Sequence, residues 1–516
     1  MAEQRPARSR PQATLTAAQV EQLLDRIDEA LLTGDREQAA TLLEQLWPAR
    51  RLLPELLTQR LSAGRARVPL FAFELLGGTA GRRTPTYLRR IAEDPTVADI
   101  VRFGARRRLG WPERGEAKRR LAFLTTLQDP EGTLLEALDQ AGMSWPPANE
   151  LFEEVLGYLA ALPAAQRQAV VMRAAGKPGL ALAWFLHALL HFPDPALQRL
   201  ALGELLRLRD PAAAGPVERL MQTTRDTQLR TEAAAMRSRL SLQVVDGGRR
   251  TTPLPLPPLE RVLLSIIDGD GGQAVLVVRR LGEHALLLAD FFLHDSWGVK
   301  SVHGLSSMAA DQLEERLFDF DEQGVTLLDA DLAAARGLLA AALETNAATG
   351  RPLPPAFELW EPLLHETYPP PADEPAALPE LDDTPYARRD DLIRASSRLL
   401  DHPFFETWGF DFLRTAEAMQ HVPGPSGSRL TERQYRPLIA QLVEPALRAR
   451  LRQRLRRQAW LLDRNGDSRA RDLALAVAAQ LAEGTPGDLA RLPFLRRLVQ
   501  RSVADVLATA FLVEAR

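Results

Sequence analysis

The chain has 516 residues, 46% of them hydrophobic and 25% charged, which is typical of a folded globular protein with more than one domain. Its formal net charge of −3 gives no overall attraction to nucleic acids or anionic membranes. Cysteine is absent, which excludes disulfides, cysteine-ligated zinc, iron–sulfur clusters and a cysteine nucleophile.

The N-terminal segment is basic and polar, and we predict a disordered tail over residues 1–14. No apolar segment of the signal-peptide kind follows it. The longest apolar stretch, GLALAWFLHALLHF (179–192), is shorter than the about 20 residues that a membrane-spanning helix needs. We therefore expect a cytoplasmic protein with no membrane partner.

Residues 15–245 carry apolar side chains at helical spacing. In the first segment, Val20, Leu23 and Ile27 fall on one face, and Gly34 follows as a stop signal. Similar segments recur along the region, separated by short connections that contain Pro, Gly or Asp. This pattern predicts a series of short helices.

Two of these helical segments resemble each other in sequence. In DPALQRLALGELLRL and DTQLRTEAAAMRSRL, Leu197 corresponds to Leu229 and Ala201 corresponds to Ala233. The pattern resembles HEAT or armadillo repeats, in which neighbouring helix pairs cover each other's apolar faces. The resemblance implies a helical repeat array over 15–245, and a non-repetitive helical bundle is the alternative.

The composition changes after a Pro-rich linker at 246–257. QAVLVVRR (273–280) and HALLLADFFLHDSW (284–297) are rich in Val, Leu and Phe, and the glycine between them favours a turn, which predicts a β-hairpin. Helical patterns follow, so we predict a small α+β domain over 258–366. A second linker, at 367–389, is rich in Pro and acidic residues and is expected to be extended and solvated.

Helical patterns return over 390–516. The predicted fold class is therefore mainly α: a HEAT-like helical repeat array, a small central α+β domain and a C-terminal helical region.

The densest basic run of the chain, RLRQRLRRQ, lies in this C-terminal region. On a helix, Leu451 and Leu455 belong to an apolar stripe, and the arginines spread over the remaining surface. Such a surface is able to follow a phosphate backbone, and Arg452, Arg456 and Arg457 are the candidate phosphate or anion contacts. The alternative is a face that pairs with acidic helices or with the acidic linker.

The segment HDSWGVKSVHG (294–304) concentrates polar chemistry in the predicted α+β domain. As an extended strand it would place His294, Ser296 and Lys300 on one face. The structural alternative is a strand whose apolar face, including Trp297, packs on the following helix. The candidate acid/base or anion-contacting side chains are Asp290, His294, Asp295, Lys300 and His303.

This segment and the residues after it also resemble a bacterial domain of uncharacterised function. The domain has a strand that ends in a GVK-like segment, a helix, and then a turn that contains Gly, Pro and Phe. The matching positions are Gly298, Val299, Lys300, Gly350, Pro354 and Phe357. Ser301 stands where the family carries an acidic residue, which puts a catalytic role in doubt. The resemblance implies a fold unit and no known reaction.

Two patterns are similar to metal sites but lack required ligands. His187 and His191 have the spacing of a helical ligand pair, yet no third ligand is near them in sequence. DRNGDSRARDLA (463–474) begins like a calcium loop but has Ser468 and Ala474 where glycine and glutamate are needed. We predict core histidines and an interhelical turn, and we expect no metal and no cofactor.

From these features we predict an intracellular helical-repeat protein that binds or scaffolds a protein or peptide partner. The first alternative is an enzyme or ligand-sensing protein with its site in the central α+β domain. The second alternative is nucleic-acid binding through the Arg-rich C-terminal helix. The sequence contains no nucleophile elbow, dinucleotide fingerprint or kinase motif, and it leaves enzymatic activity open.

Overall fold

A computed structural model of the protein describes residues 15–78, 84–110, 116–143, 150–176, 180–245, 254–282, 285–368, 370, 374–422 and 430–514. The predicted tail lies outside these ranges, as does most of the first predicted linker. Within the ranges the protein is mainly helical, with 24 α-helices and a five-stranded antiparallel sheet in the middle of the chain.

The N-terminal region consists of fourteen helices in the described ranges. They are α1 Ala17–Thr33, α2 Arg36–Leu46, α3 Leu53–Ser62, α4 Pro69–Gly78, α5 Thr84–Glu93, α6 Asp99–Leu109, α7 Glu116–Leu124, α8 Pro130–Ala141, α9 Glu150–Ala161, α10 Ala164–Ala175, α11 Leu180–Leu189, α12 Pro195–Leu208, α13 Ala214–Thr223 and α14 Thr227–Val245.

Helix α1 shows why these segments fold as predicted. Its apolar stripe is buried, with Val20 at 0% and Ile27 at 1% exposure. Thr16 caps the N-terminus by accepting a hydrogen bond from the backbone N–H of Gln19, and Gly34 ends the helix in the left-handed conformation with φ 76°. The helical content is confirmed, whereas the HEAT-like arrangement stays a prediction.

The central region holds the sheet and three helices. The elements are β1 Leu254–Pro255, β2 Leu259–Ser265, β3 Gly272–Arg280, β4 Ala285–His294, β5 Gly298–Ala309, α15 Ala310–Glu322, β6 Leu327–Asp329, α16 Leu332–Thr349, α17 Phe357–Trp360 and β7 Thr367–Tyr368. The sheet order is β5-β4-β3-β2-β6, and β1 pairs separately with β7. The predicted hairpin is present as β3 and β4 and forms the centre of this sheet.

The segment 294–304 is a turn between two strands and not one extended strand. Strand β4 ends at His294, residues 295–297 form a turn, and β5 begins at Gly298. His294 therefore pairs across the turn with Gly298. Trp297 is 45% exposed on this turn, so the expectation that it packs as a buried aromatic is wrong.

The two faces of the sheet pack differently. One face, which includes Val275 and Phe291, joins the main core of the protein. The other face, which includes Leu276 and Leu288, forms a small separate core with Leu313 of α15. Because both faces are covered, β3 is buried along nearly its whole length, as its continuous apolar sequence indicates.

The C-terminal region is again helical. Its helices in the described ranges are α18 Asp390–Ala395, α19 Phe412–Gln420, α20 Glu432–Leu442, α21 Pro445–Arg464, α22 Ser468–Glu483, α23 Pro486–Leu489 and α24 Pro493–Glu514. One cluster of buried apolar side chains extends from α1 through one face of the sheet to α24, so the three regions share a core. None of the helices in the described ranges combines the length and apolar composition needed to cross a bilayer.

Residues 374–383, here called the strap, are extended but packed, which corrects the expectation of a solvated linker. The backbone N–H of Ala377 donates to the Ala333 carbonyl in α16 at 3.0 Å. At the other end Asp383 is 0% exposed and accepts two hydrogen bonds from Arg452 of α21, at 2.7 and 2.9 Å. The strap therefore joins α16 to α21.

Two glycine-to-alanine substitutions should test this packing because their expected effects have opposite signs. At Gly337 in α16, a Cβ atom would lie 2.4 Å from the backbone carbonyl of Ala377 in the strap, so Gly337→Ala should destabilise the protein by about 1–3 kcal/mol. At Gly203 in α12, a Cβ atom would meet nothing within 4 Å, so Gly203→Ala should stabilise the protein by about 0.5–1 kcal/mol.

Urea unfolding of both variants measures the two changes. A stabilising effect of Gly337→Ala would show that the strap does not lie against α16.

Candidate ligand-binding site

The turn after β4 is fixed against α16. Gly298 has φ 87°, and a Cβ atom there would lie 2.1 Å from the side-chain oxygen of Asn346. That oxygen accepts a hydrogen bond from the backbone N–H of Val299 at 2.7 Å. The close approach explains why glycine follows the turn, and it holds His294 and Asp295 beside α16.

A cavity of about 320 Å³ lies between the end of the sheet, α16 and α21. Its apolar wall includes Ile267, Leu293 and Leu338, which are all at most 5% exposed. The exposed residues Glu344 and Ala348 of α16 also line the cavity, which places its opening near the C-terminal end of that helix.

Asp295 and Arg454 form a buried ion pair in the polar wall. Arg454 donates from Nε to one carboxylate oxygen at 2.5 Å and from Nη2 to the other at 3.1 Å. The same guanidinium donates to the carbonyls of Gly269 and Asp270 at 2.5 and 2.6 Å. The two charges therefore neutralise each other, and the pair joins α21 to the sheet.

His294 presents a neutral imidazole at the cavity. Its Nδ1 atom accepts a hydrogen bond from the backbone N–H of Ser296 at 3.1 Å, which leaves the ring proton on Nε2. Burial lowers the pKa of His294, and Arg454 lowers it further against the opposing effect of Asp295. At neutral pH this side chain is a hydrogen-bond donor without a charge.

Among the described residues that line the cavity, Arg457 is the cation for which no partner is present. Its Nε atom is shielded from solvent and makes no hydrogen bond within the described residues. Burial lowers its pKa, and the charges of Glu380 and Asp295 act in the opposite direction without a direct contact in the described structure. A half-buried guanidinium whose Nε atom is shielded from water and has no acceptor favours an added anion.

Lys300 and His303, the other predicted site residues, are not among the described residues that line the cavity. The Lys300 ammonium lies 5.2 Å from the ring centre of Phe292, which belongs to the opposite face of the sheet from Leu293. His303 pairs across the sheet with Asp290 and is exposed. The structure thus brings His294 and Asp295 together with Arg454 and Arg457 of α21, whereas Lys300 and His303 do not line the cavity; the charge of Lys300 still lowers the pKa of His294.

The pKa values of Asp290 and His303, which pair across the sheet, are both raised. Burial raises the pKa of Asp290, whose Oδ1 atom has no hydrogen-bond partner within the described residues. The carboxylate of Glu153, which lies 3.7 Å from Nδ1 of His303, raises the pKa of that imidazole, although burial opposes it. In the described structure this pair lies outside the cavity formed by α16 and α21.

The predicted anion contacts of α21 are also divided between two surfaces. Arg452 is held by Asp383, and Arg456 donates to the Leu381 carbonyl at 2.7 Å and lies 3.2 Å from Glu380. Both side chains therefore face the strap. The sequence analysis gave this pairing with the acidic linker as the alternative to phosphate binding. Of the three predicted arginines, Arg457 is the one that lines the cavity.

Sequence reasoning missed Arg454. The buried stripe of α21 contains Leu451 and Leu455, as predicted, but Arg454 is also buried at 6% exposure. Arg454 stands three residues after Leu451, so it lies at the edge of that stripe. This spacing is the feature of the sequence that could have indicated its burial. Nothing in the sequence identifies Asp295 as its partner.

The two histidines lie in the core and residues 463–474 contain an interhelical turn, as predicted. His187 and His191 are 1% and 2% exposed, and the Nε2 atom of His191 lies 2.7 Å from the Glu358 carboxylate. Residues 465–467 form the connection between α21 and α22, and Asp467 caps α22 by accepting from the backbone N–H of Ala470 at 2.8 Å.

Residues 375–507 match the family model of the Y4lR C-terminal helical domain. The matched segment begins within the strap and includes α18 to α23 and most of α24. The comparisons with curated proteins and with solved structures found no match. A protein or peptide partner, and nucleic-acid binding through α21, therefore stay predictions.

Proposed function

We propose that the protein binds a small anionic ligand in the cavity between the sheet, α16 and α21. The observation that carries this proposal is Arg457, which lines the cavity with a buried Nε atom that has no partner in the described structure. Leaving such a donor unsatisfied costs about 1–3 kcal/mol, and more when the group is charged. An anion in the cavity would supply both the missing acceptor and the missing charge.

The polar groups of the cavity support binding more than proton transfer. Both carboxylate oxygens of Asp295 already accept hydrogen bonds from Arg454. The basic nitrogen of His294 already accepts one from Ser296, so this side chain offers a proton donor at Nε2. These two side chains thus add a hydrogen-bond donor and a neutralised ion pair, and neither presents a free base to a substrate.

The dimensions of the cavity support a ligand of metabolite size. Its volume of about 320 Å³ is at the lower end of the range for small-molecule sites. Its wall is apolar on one side and carries a few polar groups on the other, which is the usual composition of such sites.

Thermal unfolding of the full chain with added small anions tests the proposal. Inorganic phosphate and short-chain carboxylates are the probes, compared with chloride at equal ionic strength. A ligand at 100 times its Kd stabilises the folded protein by about 2.7 kcal/mol, so a bound probe should raise Tm.

The matched variants are Arg457→Gln and Arg469→Gln. Both remove one positive charge, but Arg469 is exposed at the beginning of α22 and does not line the cavity. We expect Arg457→Gln to abolish the ligand-dependent rise in Tm and Arg469→Gln to retain it. If no probe distinguishes the two variants, the proposal is wrong.

A further inference from the structure

We infer that the ligand of this cavity is a monocarboxylate with a compact apolar body, the carboxylate binding Arg457 and the body lying against the apolar wall. This inference rests on the proposed function and adds the chemical class of the ligand. Three features support this class: the net charge of the polar wall, the geometry of its hydrogen-bond donors and the apolar composition of the opposite wall.

The charge balance favours an anion with a single charge. Arg454 and Asp295 neutralise each other, which leaves one unpaired cation, Arg457, among the described side chains that line the cavity. Glu344 lies at the opening, and the charges of Asp295 and Glu380 act on Arg457. A second negative charge on the ligand would find no second unpaired cation among these side chains and would be repelled by Glu344, because unbalanced like charges in a buried site are unfavourable.

The donors match a carboxylate. A guanidinium is planar and presents parallel N–H groups that fit the two oxygens of a carboxylate. The Nε2–H group of His294 provides a further donor in the same cavity without adding charge. A neutral donor beside one cation suits a monoanion better than a dianion.

The opposite wall matches an apolar body. Ile267, Leu293 and Leu338 are buried side chains of this wall. On α16, the alanines Ala341 and Ala342 also line the cavity, and their small size leaves the space open. Methylene groups that leave water for such a wall add to affinity in proportion to their number.

The volume sets the length of that body. Taking about 30 Å³ for a group of the size of a water molecule, a cavity of about 320 Å³ holds about ten non-hydrogen atoms. A carboxylate with about seven further carbon atoms fills it, which corresponds to octanoate. Longer chains would extend past the opening near Glu344 and gain no further contact.

Calorimetric titration of the full chain with acetate, butanoate, hexanoate, octanoate and decanoate measures this directly, with inorganic phosphate as the comparison anion. Each pair of added methylenes should tighten binding about fifteenfold as far as octanoate, and decanoate should bring little further gain. Inorganic phosphate should bind more weakly than hexanoate.

Two substitutions on α16 test the contribution of the apolar wall to binding independently of the charge on Arg457. Ala341→Leu fills the cavity, whereas Ala340→Leu adds the same side chain at the neighbouring exposed position. We expect Ala341→Leu to reduce octanoate binding at least tenfold and Ala340→Leu to leave it unchanged. Circular dichroism of each variant establishes that it is folded before titration.

The outcomes distinguish this inference from the proposed function. A rise in affinity with chain length that is lost in both Arg457→Gln and Ala341→Leu supports both. Binding of phosphate that depends on Arg457, with no dependence of the carboxylates on chain length, overturns the inference and leaves the proposed function standing. Binding that is unchanged by Arg457→Gln for every probe overturns both.

Discussion

Replacing Glu358 with glutamine is expected to lower the free energy of unfolding by about 3–5 kcal/mol, because it removes the anion from a buried ion pair. Glu358 lies in α17 and is 2% exposed. It accepts hydrogen bonds from Nε of Arg219 at 2.9 Å and from Nη2 of the same side chain, and it lies 2.7 Å from Nε2 of His191. After the substitution, Arg219 keeps a more distant carboxylate, Glu361, at 3.7 Å.

The position of Glu358 makes this loss larger than that of a surface ion pair. Arg219 belongs to α13 and His191 follows α11, so the three side chains join the N-terminal helices to the central region. Surface ion pairs contribute about 0–1 kcal/mol, since water solvates their charges after the partner is removed. Glu315→Gln, at an exposed position of α15, makes the same chemical change and should alter stability by less than about 0.5 kcal/mol.

The pH dependence of stability gives a second measurement of the same pair. Burial alone would raise the pKa of Glu358, but Arg219 and His191 hold it well below its ordinary value. A carboxyl group with a lowered folded-state pKa stabilises the protein fully above its unfolded-state pKa, about 4.3, and loses that contribution as the pH falls further. The stability difference between wild type and Glu358→Gln should therefore shrink by about 1.4 kcal/mol per pH unit below that value.

Urea unfolding of both proteins between neutral and acidic pH measures this difference. A difference that stays constant down to pH 3 would contradict an ionised, buried Glu358.

The parts of the fold that depend on local pattern were predictable from the sequence. Val20 and Ile27 stand at helical spacing and are buried, and β3 contains a continuous apolar run, residues 274–278, that is covered on both faces. Local spacing carries this information because side-chain direction is set by the repeat of the helix or strand. It gives no information about which distant segment covers each face.

The strap shows where sequence reasoning failed on the fold. A segment rich in Pro and acidic residues has the composition of a solvated linker. Asp383 is nevertheless fully buried, because Arg452 and Arg456 of a helix about 70 residues later lie beside it. Composition alone cannot distinguish a carboxylate that meets water from one that meets an arginine distant in sequence.

The candidate site shows the same limit. His294 and Asp295 were identified from their unusual sequence context, and Arg457 from the basic run. The sequence could not show that these three residues line one cavity, or that Lys300 does not line it. The turn at 295–297 reverses the chain, so the strand alternation that predicted a common face for His294, Ser296 and Lys300 does not run through this segment.

Arg279 provides the second large effect, because it is a fully buried cation held by carbonyl groups. It lies in β3 at 0% exposure. Nε donates to the Leu363 carbonyl at 2.8 Å, Nη1 donates to the Pro257 carbonyl at 2.6 Å, and Nη2 donates to the His365 carbonyl. These acceptors lie on the segments that flank the sheet at both ends of the central region, so one side chain holds both segments against β3.

Replacing Arg279 with alanine is expected to lower the free energy of unfolding by about 3–5 kcal/mol. Three carbonyl groups lose their donor, which costs about 1–3 kcal/mol for each buried group that water does not reach. The space left by the side chain adds to the loss, whereas removal of a buried charge offsets part of it.

Arg280→Ala is the matched control, because Arg280 is the next residue of β3 and forms a surface ion pair with Glu260, so its loss should cost less than about 1 kcal/mol. Urea unfolding of both variants gives the comparison. Equal losses would show that the carbonyl groups do not depend on Arg279. A large loss at Arg279 alone would mean that this buried arginine fastens both ends of the central region to the sheet on which the cavity is built.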